Sequence, residues 1–237
     1  MPAKRGRTGG LRGRSLASFS IGLPTGVTPA SRKVVTRRTK RVVGYFQSMK
    51  MQCAFPWESQ IERDYLYCLE FDIDVLAFSA QSASLNLLVE GIPRNHFPDF
   101  QVQFRSGEMA LHEVKTDRDA AAPERQPLFE AAKAHCAGNG ISYRVVTESE
   151  VRRQPRLQNC QLLMHLRRRP VALDDALLVA SALTDGPATL ADLLQRFGDD
   201  RADADAVILT MAARGKIGFP LDAPLTETTR FQLLPSP

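Results

Sequence analysis

At 237 residues, 43% hydrophobic and 24% charged, the chain can bury one sizeable core with a small appendage and has the make-up of a soluble globular protein, not of a fibre or a disordered polymer. No apolar run approaches the roughly 18 to 20 residues needed to cross a bilayer, and the basic N-terminus lacks the apolar centre of a secretory signal, so a cytoplasmic location is expected. The formal net charge of +5 is uneven: residues 1–50 hold twelve Lys and Arg and no acid, residues 51–170 hold fourteen bases against sixteen acids, and residues 171–237 hold five against ten.

The first thirty residues mix Gly, Arg, Ser, Thr and Pro with few large apolar side chains, which predicts an arm unable to fold alone. In "RKVVTRRTKRVVGYFQSMK" valines, Tyr45 and Phe46 fall between cations, and the segment is expected to order on the body or on a polyanion. "PWESQIERDYLYCLEFD" predicts a helix with Pro56 in its first turn and Ile61, Tyr65, Leu66 and Leu69 at helical spacing. "VLAFS" and "SLNLLVE" predict short strands, followed by a loop through Gly91 and Pro93. Residues 99–104 and 109–115 predict a hairpin turning at Ser106-Gly107. Then "PERQPLFEAAKAHCAGNG" predicts a helix closed by Gly138-Asn139-Gly140, "SYRVVT" another strand, and "ESEVRR" the start of a further helix. This mixture predicts an α/β or α+β unit built on one sheet.

Arg167-Arg168-Arg169-Pro170 marks the expected boundary. Beyond it "LDDALLVASALTD", "TLADLLQRFG" and "DADAVILTMAARGKI" predict three amphipathic helices, and "GFPLDAPLTETTRFQLL" a two-stranded wing, together a winged-helix-like unit. The expected organisation is therefore a basic arm over 1–50, a body over 51–169 and a small unit over 170–237. Cys53, Cys68, Cys136 and Cys160 form no C-x-x-C pair and have no His at ligand spacing, which argues against structural zinc and a disulfide framework.

The hairpin "PDFQVQFRSGEMALHEVK" carries the chemistry. A turn centred on Ser106-Gly107 pairs residues whose numbers sum to about 213 or 214, placing Asp99 opposite Lys115 or its neighbour and Glu113 opposite residues 100 to 101. Alternation puts Glu113 and Lys115 on one face and Val114 on the other. Two carboxylates converging at a sheet end call for a cation, and oxygen ligands of this kind suit magnesium or manganese. Lys115 could position or deprotonate an attacking water. Glu62, one residue past Ile61 at the margin of the helix's apolar face, is the candidate third acid, with Glu58 one turn earlier as the fallback. His96 and His112 lie near in sequence and receive no role.

Pro98-Asp99 followed by Glu113-Val114-Lys115 resembles the PD-(D/E)xK signature of restriction-endonuclease-like nucleases. More specifically, "GYFQSMKMQCAFPWESQIERDYLYCLEFDIDVLAFSAQ", "PDF" and "HEVK" are similar, in that order, to the N-terminal domain of TnsA-type transposon endonucleases, over about residues 30 to 150. The resemblance implies a restriction-endonuclease-like mixed sheet flanked by helices. It also implies a magnesium-dependent cut, with manganese as a substitute, at the 5′ ends of a mobile element in a bacterial cell. Glu62, Asp99, Glu113 and Lys115 fall on the family's catalytic positions, the three acids being the metal ligands. Gln81 matches a recurrent supporting glutamine, although Ser82 replaces the proline that commonly follows it.

The implied partners are double-stranded DNA at transposon ends, a TnsB-like transposase and a TnsC-like ATPase regulator. Arg37, Arg38, Lys40, Arg41 and Lys50 are the candidate contacts to the DNA backbone, which would position without reading sequence. The acidic last unit is poorly suited to grasping phosphates and is expected to touch protein. A stand-alone restriction or junction-resolving nuclease would use the same residues, and a DNA-binding adaptor would leave them idle.

Overall fold

The computed structural model describes residues 28–29, 44–198 and 203–234. Its centre is a mixed sheet of four strands in the order β4 (Val75–Ala80), β7 (Phe100–Phe104), β8 (Met109–Lys115) and β9 (Ser142–Thr147). The first three run antiparallel to their neighbours, and β9 lies parallel to β8. Parallel strands need a long crossover, here supplied by α2 (Asp117–Ala121) and α3 (Gln126–Ala137).

Each face of the sheet is covered by apolar burial, the main favourable force in folding. On one face Phe78, Phe100, Val102, Val114 and Val146 pack against Tyr65, Leu66 and Leu69 of α1 (Gln60–Phe71) and Leu157 of α5 (Arg156–Leu166). On the other, Leu111 and Tyr143 meet Phe129, Ala132 and Cys136 of α3 together with Leu85 and Leu87 from the hairpin of β5 (Ala83–Val89) and β6 (Ile92–His96). Residues expected as a loop at Gly91 and Pro93 thus form a turn and an edge strand. Gly91 takes φ +78°, which glycine adopts without a Cβ clash, and Pro93 pairs with Leu88.

The N-terminal signal of α1 also differs from expectation. Pro56 lies in β3 (Ala54–Trp57), paired with Tyr45 of β2 (Gly44–Gln47), and the helix starts after Ser59. Ser59 is the better cap because its hydroxyl accepts the Glu62 amide, which a proline ring cannot do. Gly44 is required in β2, since a Cβ there would stand 2.5 Å from the Trp57 ring. The expected break between residues 50 and 51 falls inside this β2–β3 hairpin, whose turn is tied down by buried Glu70. That carboxylate accepts from Ser48 Oγ and from the amides of Met49 and Lys50. "ESEVRR" gives only the short α4 (Glu148–Val151), and the longer α5 begins after Pro155.

The last unit orders α6 (Leu173–Ala182), β10 (Ala188–Thr189), α7 (Leu190–Gln195), α8 (Ala204–Ala213), β11 (Ile217–Gly218) and β12 (Arg230–Leu233). Where two strands were expected there are three, in the order β10-β12-β11, because Ala188 pairs with Phe231. Its core of Val179, Leu193, Ile208, Ile217 and Phe231 continues into Leu163 of α5 and Phe71 of α1. Arg156 bridges Asp72 and Asp222 across the same seam. Among the described residues, no helix is long and apolar enough to cross a membrane.

Candidate active site

The site is assembled by the β7–β8 hairpin. Gly107, at φ +91°, ends a three-residue loop: its amide bonds Phe104 O, and Phe104 N bonds Glu108 O. The extra loop residue makes paired numbers sum to 212, as in Phe100 with His112 and Gln101 with Leu111. The expected register of 213 or 214 is therefore corrected. Continued one step, the pairing sets Asp99 beside Glu113 instead of Lys115, on the same face, and the Val114 amide closes the pair by donating to Asp99 Oδ2 over 2.8 Å.

Lys115 then reaches both acids. Its Nζ lies 2.6 Å from Glu113 Oε1 and 3.3 Å from Asp99 Oδ2. Burial works against this ammonium, yet Asp99 and then Glu113 outweigh it and raise its pKa. Glu113 is drier, only 5% exposed, and burial first and Asp99 next push its pKa up to about 7 against the pull of Lys115. Its second oxygen, Oε2, is buried without a hydrogen-bond partner. The arrangement can therefore hold or release a proton near neutrality, and it presents an oxygen that no protein donor satisfies.

Glu62 approaches from α1. It occupies the third position of the helix, with Oε1 accepting from Ser59 Oγ over 3.0 Å and Oε2 from the Glu58 amide over 2.8 Å. Burial raises its pKa, and the charge of Asp99 adds to the rise, so the two carboxylates feel one another. Glu58, the fallback, contributes its backbone amide to Glu62. Gln81 joins β4 to β5 in the left-handed region at φ +47°. Its backbone N–H donates to Asp99 O over 2.8 Å, and its side-chain Oε1 is buried without a partner.

Asp99, Glu113 and Lys115 are thus brought into contact, with Gln81 behind Asp99 and Glu62 at electrostatic range. Among the described residues no group of three or more acids, histidines or cysteines stands ready-made for a metal. Lys50 is a correction. Its Nζ donates to the carbonyls of Leu69, Asp72 and Val75, capping the end of α1, and is not free to grip DNA. Arg37, Arg38, Lys40 and Arg41 lie outside the described residues. His96, given no role from the sequence, reaches within 3.5 Å of Glu113 Oε2. A lone histidine carries no spacing signal, so only the fold reveals it. His112 points to the opposite face, where its Nδ1 bonds Tyr65 Oη over 2.5 Å.

Residues 72–148 match the family described as TnsA-like endonuclease, N-terminal. Over that stretch the chain is similar to the N-terminal domain of TnsA-like endonucleases. The matched stretch contains Gln81, Asp99, Glu113 and Lys115, and the TnsA-like segment begins after Glu62. No curated protein matches the chain.

Proposed function

We propose that this chain is the endonuclease subunit of a cut-and-paste transposition complex, cleaving DNA at the 5′ ends of a mobile element beside TnsB-like and TnsC-like partners. The observation that carries the reading is the junction of Asp99, Glu113 and Lys115 at one end of the sheet, with a buried Glu113 oxygen lacking any donor. An acidic pair with an unsatisfied oxygen fits a hard divalent cation, for which carboxylates are the preferred ligands. Asp99 and Glu113 would hold magnesium, or manganese in its place, with Glu62 as the third acid once it gives up its bonds to Ser59 and Glu58. Held there, the ion would supply Lewis acidity toward a phosphate oxygen and a bound water.

The chain's own groups do the rest. Lys115, kept charged by both acids, orients a water or steadies negative charge on the phosphate, and Val114 holds Asp99 in place through its amide. Gln81 fixes the backbone of Asp99. Arg37, Arg38, Lys40 and Arg41 remain the candidate DNA-backbone contacts, favoured by a stretch of sequence with no acid. The order helix, strand, helix, helix, strand, strand supports a winged-helix-like reading of residues 170–237. Its net negative charge and the exposed Leu173 and Leu177 on α6 favour a protein partner such as the TnsC-like regulator.

Nicking of a plasmid bearing the element's ends, in magnesium and with the partner proteins, tests the proposal. Wild-type chain should cut and Asp99→Ala should not; equal cutting by both would sink it. Cutting of naked DNA without partners would favour a stand-alone nuclease instead.

A further inference from the structure

Glu113 places one oxygen on Lys115 and leaves Oε2 buried without a donor, an arrangement that is costly unless something compensates it. The imidazole of His96 stands 3.5 Å from that oxygen through Nε2. The residue is 8% exposed and sits at the end of β6, opposite Leu85. Nε2 also lies 3.1 Å from Tyr143 Oη on β9, with the two rings 6.0 Å apart at 64°. Only Phe97 and Pro98 separate His96 from Asp99, so one short segment brings groups to both sides of Glu113.

A neutral imidazole has a single N–H, on Nδ1 or on Nε2, and the other nitrogen is an acceptor. A proton on Nδ1 would turn the Nε2 lone pair toward Oε2, acceptor against acceptor. A proton on Nε2 turns a donor toward both Oε2, 3.5 Å away, and the nearer Tyr143 Oη.

We propose that His96 is a positioning residue: protonated at Nε2 and braced by Tyr143, it aims one donor at Oε2 of Glu113 while Lys115 holds Oε1, so that the carboxylate keeps one orientation and Oε2 retains a lone pair for the cation proposed above. The contact stands independently of metal; its consequence for metal binding rests on the function proposed above.

Long-range proton–nitrogen NMR on the full chain, labelled at histidine, reads the tautomer directly. The Nε2–H form is expected for His96, and Glu113→Gln should move its Nε2 resonance while leaving those of His135 and His165 in place. Manganese binding, followed by electron paramagnetic resonance, should weaken by about 10- to 100-fold in His96→Leu and recover largely in His96→Gln, whose amide restores a donor. An Nδ1–H tautomer, a resonance indifferent to Glu113→Gln, or a His96→Leu chain that binds manganese as wild type does would each overturn the proposal. Should His96→Leu fail to fold, the tautomer and the His96→Gln titration still decide it. If the NMR results are as expected and the wild type takes up no manganese, the metal-dependent reading fails and the positioning contact survives.

Discussion

Replacing Lys115 with Met tests whether the ammonium is what allows two carboxylates to share the end of the sheet. Met keeps the apolar stem and removes the charge that lies 2.6 Å from Glu113 and 3.3 Å from Asp99. Removing one partner of a buried pair ordinarily costs about 3–5 kcal/mol. Near neutrality the cost is smaller here, because Glu113, with a pKa already pushed up to about 7, relieves itself by taking a proton. The relief depends on pH. A carboxyl whose folded pKa lies above its unfolded value binds more protons in the folded state, so wild-type stability falls as pH rises toward about 7 and then levels off. Without Lys115 the folded pKa of Glu113 rises further, and stability continues to fall above pH 7 by up to about 1.4 kcal/mol per unit. Lys115 itself stays charged in both states across this window and adds no slope, since its pKa is raised. The variant should therefore lie about 1 kcal/mol below wild type at pH 6, the scale of a partly exposed ion pair. By pH 9 the gap should widen to about 3 kcal/mol or more. Urea unfolding from pH 6 to 9, with unchanged m-values, measures it. A gap that stays constant over that range refutes the reasoning.

Asp99→Asn keeps an oxygen that can accept the Val114 amide, so unfolding should shift by no more than about 1 kcal/mol while magnesium-supported nicking falls by about 100-fold or more. Glu62→Gln retains acceptor and donor for Glu58 and Ser59, and its melting temperature should stay within about 2 °C of wild type, whereas Glu62→Ala should lose about 1 kcal/mol with the cap. Nicking should drop in both, and a Glu62→Gln chain that cuts normally would confine Glu62 to capping. Lys50→Met removes three bonds to carbonyls and should cost about 2 kcal/mol in urea unfolding, with DNA affinity at fixed salt unchanged within about twofold. A large loss of affinity in a folded Lys50→Met chain would return that lysine to the DNA-contact set.

Most central elements were legible because their patterns are long and regular. The apolar run of β4, the alternation in β7 and β8, and the helical spacing of Tyr65, Leu66 and Leu69 all report burial directly. The misreadings fall where one local signal had two uses. Pro56 suits a helix's first turn and equally an edge hairpin, and the partner that decides, Tyr45, lies eleven residues upstream. Pro93 reads as a loop residue until an exposed edge strand, where a missing donor is harmless, is there to receive it. Lys50 carries the sign of a DNA contact, and only the fold brings three carbonyls to its ammonium.

The site turned on a finer point, the length of one loop. Ser106-Gly107 is a sound turn signal, but a two-residue and a three-residue loop differ by one step of register. In a strand that step moves every partner to the opposite face. With a two-residue loop and a sum of 213, Asp99 would sit across from Val114, on the face away from Glu113 and Lys115. Glycine at φ +91° on Gly107 admits the third loop residue, and the sum of 212 keeps Asp99, Glu113 and Lys115 on one face. Composition identified the three polar residues, and a single left-handed glycine determines that they meet. His96 lay beyond both kinds of signal, because its relation to Glu113 passes through the β5–β6 hairpin and Tyr143 on β9, a tertiary path with no spacing along the chain to betray it.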